Sequence, residues 1–282
     1  MNTNVKGTTA MVAILGDPIR HSKSPVMQNA AFAACNLDYV YVPFAVSPES
    51  LGVAVAGLRA LGVAGFNVTI PHKTAIIPFL DRLEESAVAA GAVNTVQVCG
   101  SLLIGHNTDG DGLVDALAVD LDFTPGDGLI VVLGAGGAAR GAVAALCRTG
   151  ARQITLVNRS RDNAERLCAD MQDRFPDTVF SSVISEGMGC ELSASTALLL
   201  NTTSVGMRGE RFAQLDLSVL SPSAKVYDMV YSACATPLVS DASRLGLAAV
   251  NGLGMLVAQG ERAFKIWTGV KPPSGVMGRA LG

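Results

Sequence analysis

The sequence predicts an α/β protein of two domains. One is a discontinuous α/β domain built from both ends of the chain, and the other is a doubly wound, Rossmann-type domain in the middle. Three observations carry that prediction. Short apolar runs alternate with helical segments along most of the chain, the pattern of strands joined by crossover helices. Gly134-Ala-Gly-Gly-Ala-Ala-Arg140 stands directly between the apolar run Leu129-Ile-Val-Val-Leu133 and the helix-compatible stretch Gly141-Ala-Val-Ala-Ala-Leu-Cys147. Roughly 130 residues of the 282 precede this turn, enough for a separate domain with its own core.

The elements follow in order. Met11–Leu15 reads as a strand. Ser24-Pro25 starts a helix, with Ser at the N-cap and Pro at the first helical position. Tyr39–Phe44 is a second strand, and Ser47-Pro48 repeats the cap-and-proline signal for a helix reaching about Leu61. Ala64–Val68 is a third strand, with two short helices expected around 73–79 and 83–89. Val93–Val98 and Leu102–Ile104 flank Cys99-Gly-Ser101, a hairpin turn. A linking helix covers Gly112–Asp120, and Pro125-Gly126 breaks the chain before the glycine turn. Strands at 129–133, 153–157, 197–200 and 225–229 then alternate with helices at 137–148 and 162–173. The last 30 residues carry the amphipathic helical segments 255–259 and 264–267. The expected domains are therefore 1–109 completed by 246–282, and 110–245.

Composition narrows the class. With 49% hydrophobic and 16% charged residues and a formal net charge of −3, the chain is globular and has no long basic run. Nucleic acid and anionic membrane are excluded as main partners. No uninterrupted apolar run of spanning length occurs, and Met1 to Lys6 reads as a short polar tail rather than a targeting segment. The six cysteines form no C-x-x-C pair and read as buried, reduced thiols of a cytoplasmic protein. His21, His72 and His106 show no ligand spacing, so no metal is expected.

Four places carry chemistry. The glycine turn fits G-x-G-x-x-A, with Gly134, Gly136 and Ala139 at the small positions and Ala135, Gly137 and Ala138 between and after them. Such a turn lets backbone approach a pyrophosphate at a helix N-terminus. In Asn67-Val-Thr-Ile-Pro-His-Lys73, Pro71 removes a ladder donor and leaves Asn67, Thr69 and Lys73 at a strand end. Open α/β sheets bind ligands there, although a polar turn with a solvated lysine fits the same residues. Ser22 and Ser24 place two hydroxyls at a helix start, where Ser24 also fits a simple cap. Gly105-His-Asn-Thr-Asp109 offers a carboxylate where the first domain hands over to the second, in residue types that also favour capping.

Nine segments, in order, resemble the shikimate dehydrogenase family: GDPIRHSKSP (16–25), FNVTIPHK (66–73), GAVNT (91–95), NTDG (107–110), GAGGAAR (134–140), NRS (158–160), NTTSVGM (201–207), YDMVY (227–231) and GLGMLVAQG (252–260). The resemblance implies an NADP-linked reduction of 3-dehydroshikimate to shikimate in a cleft between the two domains, by a monomer or homodimer. It implies that Ser22 and Ser24 grip the substrate carboxylate and that Asn67, Thr69, Asn94, Asp109 and Gln259 hold the ring hydroxyls. It also implies that Tyr231 lies near the ring and carboxylate, and that Lys73 and Asp109 form the catalytic pair. Thr203, Met207 and Gly252 would line the nicotinamide region. The residue types suit this chemistry: hydride arrival builds negative charge on a ketone oxygen, which a lysine ammonium stabilises and protonates.

The strand ending at Asn158-Arg159-Ser160 lacks the acidic residue that reads an NAD ribose. Amide, guanidinium and hydroxyl there suit a 2′-phosphate, so NADP is the expected cofactor. Three positions depart from the family pattern. Gln28 replaces a usual His, with little consequence expected. Asn163 replaces a frequent second arginine, leaving Arg159 and Arg161 for the phosphate. Ser232–Thr236 lacks an early proline, which bears on substrate selectivity. A quinate/shikimate or aminoshikimate-type dehydrogenase shares the Lys–Asp pair. A non-catalytic sensor of a nucleotide or cyclic acid has no need of it.

Overall fold

β-Branched and aromatic residues at alternate positions make β1 (Ala10–Gly16), β2 (Tyr39–Ala45) and β3 (Gly65–Val68), joined through α1 (Ser24–Ala34) and α2 (Leu51–Ala60). A 3-10 turn, Pro48–Ser50, leads into α2 with Ser47 as its extended N-cap. Next come β4 (Arg82–Leu83), α3 (Glu85–Ala90), β5 (Thr95–Cys99), β6 (Leu102–His106) and α4 (Asp109–Leu121). The computed structural model describes residues 5–185, 192–231 and 234–282. It divides into two units, Met1–Gly112 with Val257–Gly282, and Leu113–Leu256.

The sheet of the first unit has the order β2-β1-β3-β5-β6-β4. β1 runs parallel to β2 and β3, whereas β5 runs antiparallel to β3 and β6. Successive crossovers leave β1 on opposite sides, so a switch point lies at the C-terminal ends of β1 and β3. Leu15, Phe66, Leu51, Ile76 and Leu103 fill the core beneath it.

The second unit contains β7 (Leu129–Leu133), α5 (Gly137–Arg148), β8 (Gln153–Asn158), α6 (Arg161–Arg174), β9 (Val179–Ile184), β10 (Thr196–Asn201), β11 (Lys225–Asp228), α7 (Pro237–Arg244) and β12 (Ala248–Asn251). α8 (Leu253–Thr268) returns the chain to the first unit, where α9 (Val276–Arg279) follows. The six strands are all parallel in the order β12-β11-β10-β7-β8-β9, the Rossmann arrangement, with its switch point between β7 and β10.

The structure corrects several expectations. Helix α1 begins at Ser24 with Lys23 as N-cap, so Ser24 and Pro25 lie inside the first turn. The helix expected at 73–79 reduces to a 3-10 turn at Ile77–Phe79, where Pro78 removes a donor. The return boundary falls at Leu256/Val257 rather than near 246, because β12 pairs with β11. The two segments expected at 255–259 and 264–267 are one helix, α8. β9, α7 and β12 were not anticipated. The five described cysteines are free, but Cys99 and Cys234 are exposed; Cys99 ends β5 at a turn where Gly100 has φ 61°. Cys190, the first four residues of the polar tail, and Ser232 and Ala233 lie outside the described residues. Among the described residues no helix is long and apolar enough to cross a membrane.

Candidate active site and dinucleotide turn

In the first unit, backbone pairing brings the β1 and β3 ends together. Thr69 N–H donates to Leu15 O at 2.9 Å and Asp17 N–H to Ile70 O at 3.1 Å. A Cβ on Gly16 would stand 2.4 Å from Thr69 Cγ2, so only glycine permits this approach. The turn after β3 is pinned by His72, fully buried, whose Nε2 lies 2.7 Å from Val46 O. Val93 N–H donates to Lys73 O at 2.7 Å and joins this turn to the segment before β5.

Lys73 and Asp109 meet here. Lys73 Nζ donates to Asp109 Oδ2 at 2.7 Å, with the two side chains 32% and 24% exposed. Asn94 Nδ2 donates to Asp109 Oδ1 at 2.8 Å and to Thr108 Oγ1 at 2.9 Å. The start of α4 finds its acceptors elsewhere. Asn107 Oδ1 accepts Asp109 N–H at 3.1 Å and Asn94 Oδ1 accepts Thr108 N–H at 2.8 Å. Asp109 is thus not spent as a cap, and its carboxylate faces the lysine.

Both amide hydrogens of Asn94 are taken by protein oxygens, so in this arrangement it orients Asp109. Asn67 Nδ2 is similarly occupied, donating to Asn94 O and Thr95 Oγ1, each at 2.9 Å. Its Oδ1 accepts the Tyr41 hydroxyl at 2.6 Å and keeps one lone pair for a ligand hydroxyl. Tyr41 is buried, which pushes its phenol well above the usual range. A chain of hydrogen bonds therefore runs from Tyr41 through Asn67 and Asn94 to Asp109 and Lys73. Ser24 does not cap α1; its N–H donates to Ser22 Oγ at 3.3 Å. Gln259 lies on α8 in the same unit, where its backbone passes 2.7 Å from a Cβ placed on Gly112. Gln28 is buried on α1 and donates to Gly260 O at 2.9 Å, next to Gln259, a larger part than the sequence suggested.

Sequence reasoning missed Tyr41, Thr95, Thr108 and Gln28 as members of this network. Thr95 and Thr108 sit inside recognised segments. Tyr41 carried no signal beyond the alternation of Tyr39-Val-Tyr-Val42.

In the second unit, Gly134 follows β7 with φ 109°, and a Cβ there would meet Thr202 Oγ1 at 2.7 Å. Gly136 is the extended N-cap of α5, and among the described residues no side chain caps that helix. A Cβ on Gly136 or Gly137 would meet nothing within 4 Å. Open space before unclaimed helix N–H groups fits a pyrophosphate. At the end of β8, Ser160 Oγ caps α6 by accepting Asn163 N–H at 3.4 Å. Arg161 pairs with Glu165 at 3.1 Å, whereas Arg159 is exposed and carries no ion pair among the described residues. Beside the glycine turn, the β10 end supplies Thr203 and an exposed Met207, and the β11 end supplies an exposed Tyr231. Gly252 has a packing reason as well, since a Cβ would stand 2.3 Å from Met229 O.

A Rossmann sheet with an open glycine turn, in a chain whose other sheet aims a lysine–aspartate pair from its strand ends, defines a dinucleotide-linked oxidoreductase of the two-domain dehydrogenase class. Residues 14–96 match the shikimate dehydrogenase substrate binding domain, 125–185 match shikimate / quinate 5-dehydrogenase, and 252–281 match the shikimate 5′-dehydrogenase C-terminal domain. A shikimate dehydrogenase (NADP(+)) of Geobacter metallireducens is 53% identical over 284 residues, covering 99% of this chain and 98% of its own length. The solved shikimate 5-dehydrogenase of Listeria monocytogenes, in complex with shikimate and NAD, superposes with a TM-score of 0.90 at 34% identity, over 99% of this chain and 98% of that one. The ligand-free 5-ketofructose reductase of Gluconobacter sp. strain CHM43 gives a TM-score of 0.92 at 34% identity, over 98% of this chain and 99% of that one. The chain belongs to the shikimate dehydrogenase family.

Proposed function

We infer that this protein is an NADP-dependent shikimate dehydrogenase, reversibly reducing the 3-keto group of 3-dehydroshikimate to shikimate on the route to aromatic amino acids. The observation that carries the reading is the 2.7 Å Lys73–Asp109 pair at the strand-end switch point, in a chain 53% identical to a shikimate dehydrogenase (NADP(+)) over nearly its full length.

When bound, NADPH supplies a hydride to the carbonyl carbon. The chain's own residues handle the oxygen. Lys73 stabilises the negative charge that develops there and delivers a proton to it, while Asp109 holds the ammonium in place. Asn94 fixes Asp109 through Oδ1, leaving Oδ2 for the lysine. Ser22 and Ser24 suit the substrate carboxylate, Asn67 Oδ1 and Thr69 suit ring hydroxyls, and Gln259 completes the set. The reading that Asn94 itself holds a hydroxyl requires one of its present partners to give way. By the family resemblance, Tyr231 belongs to the substrate-binding set.

Gly134 to Ala138 take the pyrophosphate, Thr203, Met207 and Gly252 line the nicotinamide, and Asn158, Arg159 and Ser160 read the 2′-phosphate. Initial rates with shikimate and quinate, each with NADP and NAD, test the assignment. Quinate adds a tertiary hydroxyl that the pocket must desolvate, at about 1–3 kcal/mol. Shikimate is therefore expected to win in kcat/KM by about ten- to a hundredfold. Equal or better use of quinate refutes the shikimate assignment, and no turnover with either refutes an enzyme of this kind.

A further inference from the structure

We propose that Asp228 is a positioning residue that ties the loop at the β10 end to Val230 and Thr236 beyond β11 and so sets where the nicotinamide half of the dinucleotide is held. The proposal rests on the reading of 201–207 as the nicotinamide-side loop. Asp228 ends β11 and is completely buried, and the Lys73–Asp109 chemistry does not use it.

Its carboxylate is filled by three donors from both loops. Oδ1 accepts Asn201 Nδ2 at 2.8 Å and Val230 N–H at 3.0 Å, and Oδ2 accepts Thr236 Oγ1 at 2.6 Å. No cation is among its partners in the described residues. Burial pushes the carboxyl up, and these three hydrogen bonds oppose that push. A buried carboxylate held only by neutral donors is costly and contributes no apolar packing. Its use here lies in what it orients.

A carboxylate only accepts hydrogen bonds, so it fixes which way the Asn201 amide faces. With Nδ2 turned to Asp228, Asn201 Oδ1 must face the loop, where it accepts Thr203 N–H at 2.9 Å and Thr203 Oγ1 at 2.7 Å. The second Nδ2 hydrogen goes to Val205 O at 3.1 Å, and Thr203 Oγ1 in turn accepts Val205 N–H at 3.1 Å. The loop then returns past the carboxylate at Gly206, φ 101°, whose would-be Cβ lies 3.7 Å from Asp228 Oδ2. On the other side, Thr236 caps α7 by accepting Val239 N–H at 3.4 Å, so its hydroxyl proton is left for Asp228. One carboxylate thereby fixes Thr203 on one loop and holds Val230 and Thr236 beyond β11.

In Asp228→Asn, an N–H₂ group replaces one acceptor oxygen and faces groups that already donate, which frees Asn201 to turn over. The test compares NADPH with 2′-phospho-ADP-ribose, the same ligand without nicotinamide, in equilibrium titrations with parent, Asp228→Asn and Asn201→Ala proteins. The expected result is about a tenfold loss of NADPH affinity in either variant, with the fragment held within about twofold. Asn201→Ala leaves the Asp228–Thr236 contact in place and carries the test if Asp228→Asn does not fold. Equal weakening of both ligands, or no weakening of either, overturns the proposal. A parent that binds neither ligand overturns the dinucleotide reading and this proposal with it. A parent that binds both, with variants keeping its ratio of affinities, overturns this proposal alone.

Discussion

Replacing Lys73 with alanine should separate catalysis from both binding and folding. The lysine donates a single hydrogen bond, at 2.7 Å, to a carboxylate whose other oxygen is already held by Asn94. Loss of a general acid typically removes about 10²–10⁴ of rate, or roughly 2.7–5.5 kcal/mol of barrier at 1.36 kcal/mol per decade. The stability cost is much smaller. Both partners are about a quarter to a third exposed, and an ion pair that open to solvent contributes ~1 kcal/mol or less. Asp109 keeps Asn94 and water, so the expected fall in Tm is only a few degrees, about 2–4 °C for a chain of this size. Steady-state oxidation of shikimate with NADP gives kcat and KM, and a thermal melt gives Tm. The expected outcome is a kcat reduced at least a hundredfold, a KM changed much less, and a nearly unchanged melt. Asp109→Asn should behave alike, and the double variant should fall far short of the product, since the two act as a unit. A variant turning over near the parent rate removes Lys73 from the mechanism. An equal loss in kcat and in folded fraction makes it a structural residue.

Tyr41→Phe leaves the buried Asn67 Oδ1 without its donor, so urea unfolding should show a loss of about 1–3 kcal/mol together with a raised shikimate KM; parent-like values for both would discard the Tyr41–Asn67 link. Arg159→Ala should raise the KM for NADP by about ten- to two-hundredfold, the loss of one charged phosphate contact, and leave that for NAD nearly unchanged. If both cofactors respond alike, Arg159 does not read the phosphate. Burial holds His106 below its ordinary value of 6.5, with Glu84 partly opposing. Its folded form therefore resists protonation, and the stability it supports is complete above about pH 6.5 and drains as pH falls toward its depressed folded value. Unfolding at pH 8 and pH 5.5 should show a smaller pH-dependent loss in His106→Gln than in the parent, and an identical loss would exclude this histidine.

The legible parts of the fold were those with local causes. α5 spans Gly137–Arg148, matching the sequence expectation, because glycine turn, small residues and apolar face all act within a few residues of one another. β9 escaped notice because Ser181 and Ser182 interrupt its apolar run, which an edge strand tolerates. β12 escaped because Ala248-Ala-Val-Asn251 has no strand propensity apart from its pairing with β11. The site divides in the same way. Lys73 and Asp109 were visible as chemistry in matched segments, but their meeting depends on the β5–β6 hairpin returning the chain to β3. Tyr41 reaches Asn67 across 26 positions and two strands, a contact that no window along the sequence contains. The pairing of Arg161 with Glu165, by contrast, was within reach of the sequence, since the two stand four residues apart on α6.

One device appears in both units with opposite outcomes. Near a strand end an asparagine directs Nδ2 at an aspartate Oδ1, at 2.8 Å from Asn94 to Asp109 and at 2.8 Å from Asn201 to Asp228. In each case the asparagine Oδ1 is held by backbone N–H and hydroxyl groups of its own neighbourhood, which fixes the amide against turning over. What differs is the remaining oxygen. At Asp109 it belongs to a side chain about a quarter exposed and meets an ammonium, which leaves the charge able to steer a proton donor. At Asp228 it is sealed from solvent and meets a threonine hydroxyl, so the charge can orient only protein. Solvent access and the presence of a cation, rather than the Asn–Asp pairing itself, separate the carboxylate proposed for chemistry from the one proposed to hold loops in place.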